Sequence, residues 1–243
     1  MKVTRMLRRA ACIAMLALAA TLSAGADDLR NLIEKREDFL SQQQLQTVVE
    51  YLKQHPAAAN AEITRLYGTG TNTPLNEALS LGDVGLVSVL LEHGADPNKA
   101  SGQIQASPLQ WALNDTIDPA KIAESVALLI AKGADPNLSD QRDSTSLDTW
   151  AARRSWCQDP SYVRIGVMLL EAGALIEGDP NAPGTPLMVA TINSNPVAVK
   201  MLLDQGADPD REALLGTARS LAENEAQNGT PEASQVLALI KKH

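Results

Sequence analysis

Cysteine is nearly absent from this 243-residue chain, occurring only at Cys12 and Cys157, and histidine occurs three times. Cys12 lies in an N-terminal segment that reads as a removable leader. Its loss leaves Cys157 alone, so no intrachain disulfide can form even in an oxidising compartment. Stability must then come from packing. No Cys or His pair has the spacing of metal ligands, and no nucleophile elbow, P-loop or dinucleotide fingerprint occurs. His55 and His93 stand at helix ends, where interaction with the helix dipole is the plain explanation. Cys157 has Arg153 and Arg154 nearby to lower its pKa, but no adjacent base, which points to an inert thiol. These absences lead to the expectation of a protein that is not an enzyme and uses no metal or cofactor.

The leader is residues 1–26. Lys2, Arg5, Arg8 and Arg9 precede the apolar run CIAMLALAATL, and Ala24-Gly25-Ala26 supplies a small-residue end. A basic head, a short apolar middle and an A-x-A-like end describe a secretory signal peptide. The run is too short to span a bilayer comfortably, and Arg9 stands where a lipoprotein signal needs an aliphatic residue. The expectation is a mature chain starting at Asp27, exported to the periplasm. Without the leader, 17 Lys and Arg face 29 Asp and Glu, a formal charge of −12. Nucleic-acid binding is disfavoured, because phosphate contacts need clustered cations, and so is attachment to an anionic membrane.

What the chain does have is a repeat. A Thr or Ser opens a unit at Thr73, Ser107, Thr145 and Thr185, and a glycine closes it at Gly94, Gly133, Gly173 and Gly206. The distance from each of the first three glycines to the next opening is 13, 12 and 12 residues, whereas opening to glycine runs 21, 26, 28 and 21. The insertions therefore sit between the two helices of the second and third units. Such behaviour fits a solenoid whose loops grow on one face. Thr or Ser caps a first helix that Pro can enter. A tight turn and a second helix with Val87, Leu90 and Leu91, or Val199, Leu202 and Leu203, at helical spacing follow. Glycine then ends the helix at the position that wants φ > 0.

The TPLNEA opening at Thr73 and the LLEHGADPN close ending at Asn98 resemble the ankyrin repeat, over four units from Thr73 to Asp210. The resemblance implies an all-α solenoid of helix–turn–helix units with hairpin-like loops and capping helices. Departures are visible. The histidine usual after TPL is Asn76, Gln110, Asp148 and Met188, which removes a common hydrogen bond and predicts looser units. Trp150 takes a position normally Ala, so the third unit must open or shift, and Gly173-Ala174-Leu175 lacks the Asp. VVEYLKQHPAAAN, from Val48, reads as a worn close, and Thr217–Ala222 with Gln235–Lys242 as a final pair of helices. The expected organisation is 1–26 signal peptide, 27–72 N-terminal cap and degenerate repeat, 73–210 four repeats, and 211–243 C-terminal capping repeat.

The resemblance implies function by presentation of a surface to another protein. The expectation is a periplasmic binding module that neutralises or escorts one exported partner, as an immunity protein does, and that is monomeric when free. The alternative is a structural or stress-protective subunit of an envelope assembly. Loop tips and exposed ends of first helices are free of packing duties, which singles out Gln103, Ile104, Gln141 and Arg142 at the tips. Trp111, Asn114, Asp115, Arg153, Arg154 and Trp156 flank the insertions of the central units, and Trp and Arg recur at interface hot spots. The competing explanation is that both tryptophans fill gaps that the insertions create.

Overall fold

A computed structural model describes residues 28–33, 42–64, 71–113, 116–154, 158–227 and 229–243. The leader, Asn114, Asp115, Trp156 and Cys157 lie outside the described residues.

The structure is an all-α solenoid. Its helices are α1 (residues 28–33), α2 (Gln42–Gln54), α3 (Pro74–Leu81), α4 (Val84–Glu92), α5 (Pro108–Ala112) and α6 (Pro119–Ala131). They continue with α7 (Ser146–Ala151), α8 (Pro160–Glu171), α9 (Pro186–Ile192), α10 (Pro196–Asp204), α11 (Ala218–Ala226) and α12 (Pro231–Lys242). A 3₁₀ turn covers Pro56–Asn60, and two two-residue strands, Ile63–Thr64 and Thr71–Asn72, pair antiparallel. Two rows result. First helices α3, α5, α7, α9 and α11 stack on one another, and second helices α2, α4, α6, α8, α10 and α12 stack behind them.

Local chemistry sets each boundary. The hydroxyls of Thr73, Ser107, Thr145, Thr185 and Thr217 accept from the N–H three residues on, starting the first helices. Second helices begin on Asp83, Asp118, Asp159 and Asn195, whose side chains accept from early N–H groups. They end on glycines with φ between +86° and +95°. The N–H after each glycine returns to the carbonyl five residues back, as from Ala95 to Leu90 (2.9 Å) and Ala207 to Leu202 (3.0 Å). This is the Schellman close, which favours glycine because a residue with a Cβ is strained at positive φ even where, as here, the surrounding space is open.

The core is aliphatic. Leu75, Leu79, Leu109, Leu147 and Leu187 from the first row meet Leu90, Val126, Leu129, Ile165, Leu169 and Leu202 from the second, all essentially inaccessible. Trp150 is fully buried too. The space comes from Gly166 on α8, where a Cβ would stand 2.6 Å from the indole and 2.4 Å from Met201. Trp150 stacks on Tyr162 with ring centroids 4.7 Å apart. Its Nε1 donates to the Tyr162 carbonyl (2.9 Å), and the Tyr162 hydroxyl donates to the Trp150 carbonyl (3.0 Å). Among the described residues no helix is long and apolar enough to cross a membrane.

The expectation of looser units after loss of the histidines fails in the first two. Gln110 Oε1 accepts from the Ser107 N–H (2.8 Å), while its Nε2 donates across to the Ser144 carbonyl (2.6 Å). Asn76 Nδ2 donates to the Lys99 carbonyl (3.2 Å) and to Ser101 Oγ (2.7 Å). The amide nitrogen of each side chain thus ties its unit to the next loop, although Asn76 Oδ1 itself has no partner.

Candidate functional site

The units meet most regularly at their closes. Asn98 Nδ2 donates to the Gly133 carbonyl (3.0 Å), and its Oδ1 accepts from the Asp135 N–H (2.7 Å). Asn137 repeats this with Gly173 (2.9 Å) and Leu175 (2.8 Å). Asn60, in the worn close, does the same with Gly94 (2.7 Å) and Asp96 (2.7 Å). The carboxylates of Asp96 and Asp135 each accept from the N–H two residues on. The Asp-Pro-Asn turns are thus occupied by structural bonds. Among the described residues no group of three or more His, Cys, Asp or Glu is placed to hold a metal ion.

With the closes fixed, the loops between units project as a row. Loop 101–106 closes as a hairpin through two bonds between Ser101 and Ala106, both 3.1 Å. Loop 140–144 is held by Asp140, whose N–H donates to the Ser144 carbonyl (3.0 Å). Its Oδ1 accepts from the Arg142 and Ser144 N–H groups (2.8 and 3.1 Å). The two loops join where the Gln141 N–H donates to the Ile104 carbonyl (2.9 Å). Leu215 N–H does the same to Pro183 (3.1 Å), joining loops 177–184 and 211–216. Backbone bonding thus aligns the tips and leaves their side chains outward.

The expected site residues divide. Gln103, Gln141, Arg142 and Arg154 are exposed, and Ile104, Trp111 and Arg153 are half-buried. The exposed Arg142 reaches Oδ2 of the buried Asp140 at 3.5 Å. The Trp111 ring lies against its own unit's loop, since a Cβ on Gly102 would come within 2.8 Å of it. It therefore supports that hairpin as well as bordering the face. The Arg153 carbonyl accepts from Asn195 Nδ2 (2.8 Å), which fixes the end of α7 to the fourth unit.

Two residues absent from the sequence reading stand out. Leu214 is 87% exposed and Leu215 44%, at the tip of the last loop. The available signal was Gly216, which takes φ +97° and closes a hairpin through its contacts with Ala213.

The electrostatics of this end differ from those of the centre. Asp148 is buried, Oδ2 accepts from the Thr145 N–H and hydroxyl (2.8 and 2.7 Å), and Oδ1 has no hydrogen-bond partner. Burial pushes its carboxyl above the usual range, against the Thr145 bonds, with a further push from Asp179 and Asp140. Asp179 lies lower than usual because it accepts from the Asn181 N–H and the Ser139 hydroxyl. Asp210 is lowered by the Arg219 guanidinium, which meets it through two bonds (2.6 and 2.9 Å).

Comparison with known proteins agrees with this architecture. The ankyrin repeat family matches residues 71–101 and 184–213, two of the four units. A Danio rerio protein named as a palmitoyltransferase, ZDHHC13, is 29% identical over 183 residues, covering 74% of this chain and 26% of that protein. The chain spans about a quarter of the length of that relative.

Proposed function

We propose that this chain, whose ankyrin repeats mark it as a module for binding other proteins, is a periplasmic inhibitor or escort of one exported protein. The observation that carries this reading is the row of aligned loop tips with outward side chains, Gln103, Gln141 and Arg142, beside the ends of the first helices. Export rests on the leader pattern of residues 1–26. The −12 charge of the mature chain favours a basic partner through electrostatic steering. Binding rather than catalysis is the activity, the free protein is monomeric, and contact centres on the second and third units. Asn114, Asp115 and Trp156 belong to the proposed contact set with the described Trp111, Arg153 and Arg154.

The test is affinity capture from periplasm with the mature chain as bait. Trp111→Ala or Arg153→Ala should weaken capture by about 2 kcal/mol or more, the scale of interface hot spots. Reversing the charge of Lys132, exposed at the end of α6, or of Lys200, exposed on α10, should change it little. Capture abolished by these lysine changes and untouched by the loop-side ones would place the surface elsewhere.

A further inference from the structure

Leu214 exposes almost its whole side chain, on a loop that its neighbours hold in place by backbone bonds. Beside it a cleft of about 140 Å³ opens between loops 177–184 and 211–216, lined by Glu177, Asp179, Ala182, Arg211, Glu212 and Leu214 among others. Its apolar walls, Ala182 and Leu214, suit a methylene stem, and its carboxylates suit a cationic head. The cleft already shows this preference within the chain, since Arg211 Nε settles 3.8 Å from Glu177 Oε2. Among the described residues Asp179 and Glu212 have no cation at ion-pair distance. The hydrogen bonds that Asp179 accepts keep it ionised.

We infer that this cleft receives a lysine or arginine side chain of the partner, carried on an extended segment whose adjacent apolar residue covers Leu214. The inference rests on the proposed role of the loop-tip face and names the chemistry that its last loop recognises. Three carboxylates and one guanidinium line the cleft, so an acidic segment is repelled while a basic one exchanges water for ion pairs beside apolar surface. Leucine at the tip adds the apolar contact that the acidic groups alone would lack.

The test uses the full mature chain with methyl-labelled leucine and alanine, and two ten-residue peptides. One alternates leucine with lysine, and the other alternates leucine with glutamate. The lysine peptide is expected to shift the Leu214, Leu215 and Ala182 methyls, with the glutamate peptide at least tenfold weaker. Leu214→Ser, and separately Asp179→Asn with Glu212→Gln, should each weaken the lysine peptide at least tenfold while thermal melting stays unchanged. Equal shifts from both peptides, no shift at all, or concentration-dependent shifts without peptide would overturn the assignment. The last would show that a second copy covers Leu214. Partner capture that survives Leu214→Ser but is lost in Trp111→Ala would also overturn it, while leaving the wider face standing.

Discussion

At the first three joints of the array the bridging side chain is an amide, Asn60, Asn98 or Asn137; at the last two it is a carboxylate, Glu177 or Asp210. The amides donate to a glycine carbonyl and accept from an N–H two residues beyond it, so each joint is closed from both sides. Glu177 still accepts from the Asp208 N–H (2.9 Å) but has no N–H to offer the Gly206 carbonyl. Asp210 turns instead to Arg219, whose Nη1 also donates to the Ile240 carbonyl (3.1 Å). A related split runs through the residue three positions after each opening. Asn76 and Gln110 donate across to the next loop, Asp148 has no donor to offer it, and Met188 offers the Thr185 N–H only sulfur at 3.5 Å; Asn76 Oδ1 and Asp148 Oδ1 are both left without a partner. The first three joints close through neutral loop amides and the last two through carboxylates, while the Asn195 amide also ties α7 to the fourth unit and the Trp150–Tyr162 pair anchors the third unit internally. A repeat fold thus tolerates a changed joint when some other contact replaces it.

The largest test of this contrast is Trp150→Ala. It removes the aromatic anchor of the third unit and should cost about 3–5 kcal/mol in urea unfolding. Adding Gly166→Leu should restore part of the loss by refilling the void, because volume-conserving exchanges are tolerated best. In a quasi-linear array the first loss of exchange protection should fall in α7 to α12.

Next in size is Asn137→Ala, which deletes both bonds of one amide joint and should cost about 1–2 kcal/mol in the same measurement, at roughly 0.5–1.5 kcal/mol for each bond. Asp148→Asn should act in the opposite direction. Burial raises the Asp148 carboxyl in the folded chain, so the folded state prefers it protonated. That penalty is absent below the unfolded value of about 3.9 and grows as pH rises through the folded one. The variant should therefore be more stable than the parent at pH 7, where it removes a buried charge, and no more stable at pH 3. Melting curves at the two pH values check this.

Two smaller effects concern the charged joints. Glu177→Asn supplies the missing donor and should add at most about 1 kcal/mol, offset by loss of the exposed Arg211 contact. Asp210 runs opposite to Asp148. Its carboxyl is lowered by Arg219, so its contribution is present above the unfolded value and disappears as pH falls through the folded one. Acidification should loosen α11 and α12 by hydrogen exchange and leave the amide joints unchanged.

Much of this fold was legible because its signals are local. A cap hydroxyl, a proline in the first turn and a glycine at positive φ act within a few residues, and their period is plain in the sequence. Even the worn close at Asn60 kept the residue whose amide makes the joint. What stayed hidden is nonlocal. Gly166 explains Trp150 from 16 positions away. The replacement of histidine by Gln110 looked like loss, because its second partner, Ser144, lies in another unit. Leu214 and Leu215 went unmarked because an apolar pair at a hairpin tip has no periodicity of its own.

The most direct measurement of the binding account is site-specific photocrosslinking in living cells, with a photoreactive residue placed singly at Gln103, Gln141, Arg142, Lys132 or Lys200. The account predicts a common protein adduct from the three loop-tip positions and none from Lys132 or Lys200. Adducts from those two lysine positions, with none from the tips, would contradict it.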